Sequence, residues 1–235
     1  MIWVFAILLV AWGNLLHPLV GASAVLPGGS FEFVVAGAGV TTVSLLAARA
    51  LGLNASALGL RRPAAIRGAA LGALAGGVIA ATGVGVIRLA PLILGQSVDY
   101  QPLARVSADE LVRHIALFLP LGTVVPEEVA FRGTLLGGLL ARGGPRLAVV
   151  ASAAAFAMWH ATVAVMTVSE TTLPPVLVIP AIAGAFLVVF VGGCVMAALR
   201  LATGALTTSI AAHWAFNAVI LIGLWPGWSA PAQTR

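Results

Sequence analysis

Long apolar runs alternate with short polar segments along almost the whole of this chain. Most of these runs are close to the ~20 residues that a helix needs to cross the ~30 Å hydrocarbon core of a bilayer. They do not alternate apolar and polar residues as the strands of a membrane barrel do. The pattern therefore predicts an all-α, polytopic membrane helix bundle, formed as a single integral-membrane domain over residues 1–235. About seven transmembrane helices, within a range of six to eight, are expected at residues 2–20, 33–53, 68–89, 111–141, 147–166, 176–199 and 205–225.

Two of these runs carry features that predict how their helices are shaped. The fourth run, at 111–141, is longer than one crossing requires, and Pro120 and Pro126 interrupt it. Because proline removes a helical hydrogen bond and clashes with the preceding turn, we expect a kink or break just before residue 127. In the third run Gly68, Gly72 and Gly76 recur every four residues, so they share one helix face. Such a face lets the backbone of a second helix approach closely.

Composition supports a membrane protein and argues against a nucleic-acid-binding protein and a cysteine-based metal protein. Hydrophobic residues make up 61% of the chain and charged residues only 8%, against about 25% charged in soluble domains. The net charge is +5, and all twelve basic residues are arginines that stand singly or in pairs beside apolar runs. Their natural partners are lipid phosphates of the bilayer rather than a nucleic acid. The single cysteine, Cys194, can form neither an internal disulfide nor a cysteine-based metal cluster.

The polar segments between the runs alternate in charge. Those after the first, third and fifth runs hold most of the acidic residues. Those after the second, fourth and sixth runs carry arginines and no acid, and the arginines are Arg49, Arg61, Arg62, Arg67, Arg142, Arg146 and Arg200. Cytoplasmic loops of membrane proteins are enriched in arginine and lysine. The alternation therefore predicts a multi-pass protein of the cell membrane with a cytoplasmic N-terminus and an external C-terminus.

The stretch from Pro126 to Gly133 places two carboxylates and a guanidinium inside an apolar run. A charged side chain at membrane depth costs roughly 2.5–3.5 kcal/mol on insertion scales, so we expect these groups to be functional. Glu128 and Arg132 are four residues apart, share a helix face and can pair. Glu127 points about 100° away from that face. Glu127 is therefore the carboxylate that is free of the pair and available for chemistry.

Three predicted helices carry a titratable group at matching depth. Glu127, His160 and His213 lie fifteen, fourteen and thirteen residues from Arg142, Arg146 and Arg200, respectively. At ~1.5 Å per residue, all three lie about 20 Å from the arginine-bearing side. Asn217 follows His213 by four residues, so both side chains can face one cavity. The sequence therefore predicts that these groups meet in one site.

One free carboxylate and two imidazoles can perform two kinds of chemistry. Glu127, His160 and His213 could bind a divalent metal such as zinc with an open coordination position. Alternatively, Glu127 could act as a general base on a water held by His160, with His213 and Asn217 donating hydrogen bonds to an oxyanion. Asn217 favours the second interpretation, because an amide is a good oxyanion donor and a poor zinc ligand. No HExxH motif of a zinc protease is present. We therefore favour a site without a cofactor and keep the metal as the alternative.

Three short motifs follow one another on successive predicted helices. They are Glu127-Glu128-x-x-x-Arg132, Phe156-x-x-x-His160 and His213-x-x-x-Asn217. In this order they resemble the motifs of the CPBP family, the CAAX-protease and bacteriocin-processing group that includes the type II CAAX prenyl endopeptidases. The resemblance covers about residues 111–224, which we take as the motif-bearing catalytic core.

The resemblance implies an intramembrane endopeptidase with a cavity open to the cytosol and a membrane-embedded or membrane-anchored peptide as substrate. By the same resemblance, Glu127 and His160 activate water, and His213 and Asn217 stabilise the oxyanion. Glu128 and Arg132 give structural support. Two other classes compete: a non-catalytic scaffold or bacteriocin-immunity-type protein, and a small transporter whose buried acid and histidines relay protons. The intact motif set favours the enzyme, and the lack of a visible inverted repeat weakens the transporter.

Overall fold

The structure is a computed structural model, which describes residues 1–20, 26, 29–60 and 65–228. Within these ranges the chain is helical and contains no strand beyond two isolated bridges, so the all-α prediction is confirmed. The principal helices are α1 (Ile2–Val20), α2 (Phe31–Ala50), α3 (Ala65–Leu89), α4 (Ala108–Leu140), α5 (Pro145–Trp159), α6 (Ala161–Ser169), α7 (Pro175–Thr203) and α8 (Leu206–Leu224).

Five helices in the described ranges are long and apolar enough to cross a membrane, namely α2, α3, α4, α7 and α8. The pair α5 and α6 is bent by 48° and makes a sixth span if it is counted as one. The apolar part of α1, Ile2–Leu16, is shorter than a full crossing. Six spans are the lower end of the predicted range, and α1 accounts for the difference from seven.

We expected a kink or a break before Glu127, and a break is wrong, because α4 runs without interruption from Ala108 to Leu140. A kink at this point stays a prediction. The winding of α4 changes instead: residues His114–Val124 and Val129–Leu135 are π-helical, with a short α-helical stretch between them. Pro126 lies in that α-helical stretch, between the two π-helical segments. The helix therefore contains the proline without a break.

The glycine face of α3 packs directly on α8. A methyl group added at Gly72 would lie 2.0 Å from the carbonyl oxygen of Thr208, and one at Gly76 would lie 2.0 Å from that of Ala212. The predicted close approach of a second helix is thus confirmed. Because α8 also carries residues 213 and 217, this contact fixes the height and rotation of both side chains against the rest of the bundle.

The helix ends gather into two faces. The arginine face is formed by Arg49, Arg67, Arg142, Arg146 and Arg200 together with the loop 51–60. At this face the amide of Leu206 donates to the carbonyl of Gly59 at 2.8 Å, and the Arg200 guanidinium donates to the carbonyl of Ala57. Arg61 and Arg62, which the sequence places in the same loop, lie outside the described residues.

The opposite end of the bundle is the acidic face, formed by Glu32, Asp99, Asp109, Glu110 and Glu170. The amide of Gln101 donates to the carbonyl of Glu170 at 3.0 Å, and the Trp225 indole donates to the carbonyl of Val106 at 2.9 Å. The segments that alternate in charge along the sequence are therefore sorted onto opposite ends of the folded bundle. Which end faces the cytoplasm stays a prediction.

Candidate active site

Helix α4 places two adjacent carboxylates inside the bundle with different neighbours. Glu127 is 6% exposed and Glu128 is fully buried. The Arg132 guanidinium donates from Nη1 to Glu128 Oε1 at 3.0 Å, as the spacing of four residues predicts. Glu127 faces α5 and the kink that follows it. The two carboxylates thus stand in separate environments even though they are neighbours in the chain.

Glu128 joins three helices around one buried charge network. Its Oε1 accepts hydrogen bonds from Arg132 Nη1 and from His213 Nδ1 on α8, each at 3.0 Å. Arg132 Nη2 also lies 3.4 Å from the carbonyl oxygen of Gly193 on α7, and its guanidinium carbon lies 3.9 Å from the centre of the Phe156 ring. A charge of each sign with several partners is the condition under which ion pairs are tolerated in an apolar interior.

Glu127 is held on one oxygen and open on the other. Its Oε1 accepts a hydrogen bond from the Trp159 indole at 3.1 Å. Its Oε2 lies 3.6 Å from His160 Nε2 and 4.0 Å from His213 Nε2, and has no hydrogen-bond partner among the described residues. Trp159 is a site residue that the sequence did not reveal. Its only signal was its place directly before His160.

The hydrogen bonds of the two imidazoles assign their tautomers. His160 Nδ1 lies 2.8 Å from the carbonyl oxygen of Phe156, which can only accept, so Nδ1 carries a proton. His213 Nδ1 faces the carboxylate of Glu128 in the same way. In the neutral form of each ring, Nε2 therefore presents a lone pair toward Glu127. The gaps of 3.6 Å and 4.0 Å exceed a direct hydrogen bond, so neither ring is hydrogen-bonded to Glu127 directly.

His160 owes its position to a break between α5 and α6. Its φ of −89° and ψ of 9° lie in the sparsely allowed bridge region, where active-site residues are often found. Asn14 of α1 satisfies the backbone groups that this break exposes. Its Nδ2 donates to the carbonyl of Met158 at 2.8 Å, and its Oδ1 accepts from the amide of Thr162 at 2.9 Å. Asn14 thus links the two helices on either side of His160, a role that the sequence did not predict.

The site lies in the wall of a cavity of about 810 Å³. Most of the lining is apolar, and Glu127, His160, His213 and Asn217 are among its polar members. Asn217 stands one turn after His213 on α8, and its side chain makes no hydrogen bond within the described ranges. The structure therefore brings His160 and His213 to within 4.0 Å of Glu127 and places Asn217 on the same cavity wall.

The donor atoms around Glu127 include types that a metal ion can take. Two imidazoles and a carboxylate are ligand types that zinc accepts. Across the described part of the chain, no three histidine, cysteine, aspartate or glutamate side chains are arranged to hold a metal ion. A site without a metal stays a prediction, and we derive no step through a metal.

Comparison with protein families gives one match. Residues 110–219 match the family described as type II CAAX prenyl endopeptidase Rce1-like, which corresponds to 110 of the 235 residues. The matched segment contains every residue of the three motifs. Comparisons with curated proteins and with solved structures give no match. This segment, just under half of the chain, is similar to that family and supports the resemblance drawn from the three motifs.

Proposed function

We propose that this protein is an intramembrane endopeptidase that hydrolyses peptide bonds of membrane-embedded or membrane-anchored substrates. One observation carries the proposal. The Oε2 atom of Glu127 lies in the wall of a large apolar cavity, without a hydrogen-bond partner among the described residues, and faces two imidazole nitrogens at 3.6 Å and 4.0 Å. A base, an orienting acceptor and a binding space for an apolar chain are the parts that peptide hydrolysis requires.

In the proposed mechanism, a water between Glu127 and His160 is the nucleophile. It donates one hydrogen to Glu127 Oε2 and the other to the lone pair of His160 Nε2. Its own lone pair then points toward the cavity and the substrate carbonyl carbon. As the carbon–oxygen bond forms, Glu127 takes the proton of the water. Glu127 returns this proton to the leaving amine when the carbon–nitrogen bond breaks. The Trp159 indole keeps the carboxylate in place through both steps.

The negative charge on the substrate oxygen is stabilised from α8. Asn217 donates from its amide, which has no competing hydrogen bond in the described part of the protein. His213 already uses its Nδ1 proton for Glu128, so it donates from Nε2 only as an imidazolium. Glu128 then serves as the counter-ion of that imidazolium. This gives Glu128 a function beyond its pairing with Arg132, because it prepares His213 to act as an oxyanion donor.

The proposal is tested by Glu127→Gln, which keeps the size of the side chain and removes the base. Loss of general base catalysis lowers rates by roughly 10²–10⁴-fold. Membrane peptides are compared by mass spectrometry between cells that carry the wild type and cells that carry the variant. We expect cleavage products to disappear and uncleaved precursors to accumulate. Asp109→Asn, at an exposed carboxylate of the acidic face, is the matched control. Unchanged processing in Glu127→Gln would refute the protease and favour the scaffold.

The zinc-dependent version of the same protease has its own test. Elemental analysis measures bound zinc in the purified wild type and in His160→Ala. For the glutamate mechanism we expect no stoichiometric zinc in either protein. Stoichiometric zinc in the wild type that is lost on mutation would overturn the metal-free mechanism.

A further inference from the structure

The first π-helical segment of α4 contains a proline that leaves one backbone carbonyl without a donor in its own helix. Pro120 lies inside this segment, His114–Val124. In a π-helix each carbonyl pairs with the amide five residues later, as the Val125 amide does with the carbonyl of Pro120. The same winding would pair the Ile115 carbonyl with the amide of residue 120, and proline has no amide hydrogen. The Ile115 carbonyl therefore needs a donor from another helix.

Trp214 of α8 supplies that donor. Its indole Nε1 donates to the carbonyl oxygen of Ile115 at 2.9 Å. Trp214 is 37% exposed, so this contact lies at the outside of the bundle rather than in its core. An unpaired carbonyl is costly in the hydrocarbon part of a bilayer, and a neighbouring helix is one source of the missing partner near a proline. The indole thus compensates for Pro120.

Trp214 directly follows His213, so two consecutive residues of α8 bind α4. His213 Nδ1 donates to Glu128 Oε1 at 3.0 Å, and the Trp214 indole donates to the carbonyl of Ile115. The two acceptors are thirteen residues apart on α4, and the two side chains leave α8 about 100° apart. One contact would still allow α8 to turn or slide against α4. Two contacts at different heights and in different directions prevent both movements.

The other imidazole of the site has a similar neighbour. Trp159 directly precedes His160, and its indole donates to Glu127 Oε1 at 3.1 Å. Each imidazole is therefore next in sequence to a tryptophan whose indole binds α4. Trp159 lines the cavity, whereas Trp214 is absent from the described residues that line it. Trp214 can therefore influence the chemistry only through its neighbour His213 and not by contact with a substrate.

We propose that Trp214 is a positioning residue of the active site: its indole binds the carbonyl that Pro120 leaves without a donor and thereby holds His213 in place. The position that it fixes is that of His213 Nε2, 4.0 Å from Glu127 Oε2. Loss of the bond lets α8 move against α4 but leaves the apolar lining of the cavity unchanged. The role in hydrolysis rests on the proposed function, whereas the bond itself does not.

Trp214→Phe removes the donor and keeps an aromatic ring. We expect kcat to fall roughly 10-fold, the effect of one hydrogen bond, and KM to change by less than about twofold. Both constants are measured in detergent on the peptide that the Glu127→Gln comparison identifies. Trp225→Phe is the matched control, because the Trp225 indole makes the same kind of bond to the carbonyl of Val106, at 2.9 Å, at the end of α8. Its kcat should stay at the wild-type value.

Pro120→Ala separates positioning from stability. This substitution restores an amide hydrogen at position 120, so the Ile115 carbonyl can be paired within α4 even when the indole is absent. A carbonyl oxygen can accept two hydrogen bonds, so the indole bond is retained in Pro120→Ala alone. Adding Trp214→Phe to Pro120→Ala should therefore leave Tm unchanged and still lower kcat roughly 10-fold, because the contact between α8 and α4 is missing. The same pair of variants serves if Trp214→Phe alone does not fold.

Four results would overturn the proposal. They are a wild-type kcat in Trp214→Phe, a rise of KM without a fall of kcat, an equal fall of kcat in Trp225→Phe, and no fall of kcat when Trp214→Phe is added to Pro120→Ala. The last result would show that the indole only stabilises the fold. A wild-type kcat in Trp214→Phe beside an inactive Glu127→Gln overturns the positioning role alone. Unchanged processing in Glu127→Gln instead overturns the protease itself.

Discussion

Replacement of Asn14 tests whether the break at His160 is held by a helix outside the family match. Asn14 belongs to α1, whereas the matched segment begins at residue 110. Its amide serves as a cap for both neighbouring helices: it donates to the last turn of α5 at Met158 and accepts from the first turn of α6 at Thr162. Asn14→Ala removes both bonds and leaves the cavity-lining side chains in place.

The size of the effect follows from the bonds that are lost. Removal of a side chain that caps a helix N-terminus costs about 0.5–2 kcal/mol, and the bond to the Met158 carbonyl adds about 0.5–1.5 kcal/mol. The bend is therefore weakened by about 1–3.5 kcal/mol. If the misplacement of His160 raises the activation free energy by about 2 kcal/mol, kcat falls roughly 30-fold. KM should change little, because Asn14 does not touch the apolar binding space.

The assay measures kcat and KM on a peptide identified by the Glu127→Gln comparison, together with thermal unfolding in detergent. Thr42→Val is the control, because the Thr42 hydroxyl donates only to the carbonyl of Ala38 within its own helix. Asn14→Asp is a second variant, since it keeps the acceptor for Thr162 and loses the donor to Met158. A kcat for Asn14→Ala equal to that of the control would refute the reasoning. The reasoning would be supported if Asn14→Ala and Thr42→Val lowered Tm equally and only Asn14→Ala lowered kcat.

Three further predictions concern the same framework. Trp159→Phe removes the hydrogen bond that the indole donates to Glu127 at 3.1 Å. Because hydrogen bonds to charged groups contribute about 1.5–3 kcal/mol, kcat should fall roughly 10–150-fold while the circular dichroism spectrum stays unchanged. A wild-type kcat would contradict this prediction. Glu128→Leu leaves the Arg132 guanidinium buried without its partner and should lower the free energy of unfolding by about 3–5 kcal/mol. Adding Arg132→Leu should restore part of the lost stability. A double variant that is no more stable than Glu128→Leu would argue against the ion pair. Gly72→Ala should lower Tm because its methyl group meets backbone at 2.0 Å, while Gly85→Ala, with open space around it, should not; equal Tm values would contradict the packing of α3 on α8.

The sequence determined those features that depend on neighbours along one helix. Apolar runs located the spans, and the spacing of four residues between Glu128 and Arg132 yielded their 3.0 Å contact. The glycine repeat on α3 predicted that a second helix packs closely against it, but it did not indicate which helix. Matching depth also brought Glu127, His160 and His213 together, because a straight helix converts residue number into height. These inferences succeed because helical geometry is local and because a charge in an apolar run has few tolerable environments.

Other features depended on contacts between distant parts of the chain. The break expected before Glu127 is absent, because α4 continues through Pro126 with π-helical winding on both sides, and the bend lies at His160 instead. The winding of a helix near a proline depends on the helices packed against it, which the local sequence does not encode.

Only the tertiary structure showed the partners of the site. Trp159 meets Glu127 across 32 residues, and Asn14 meets Thr162 across 148. Both contacts depend on how the helices rotate about their axes, which packing of the whole bundle decides. The sequence therefore determined which polar groups could meet in one site, because helical geometry is local, whereas the fold decided which contacts hold them.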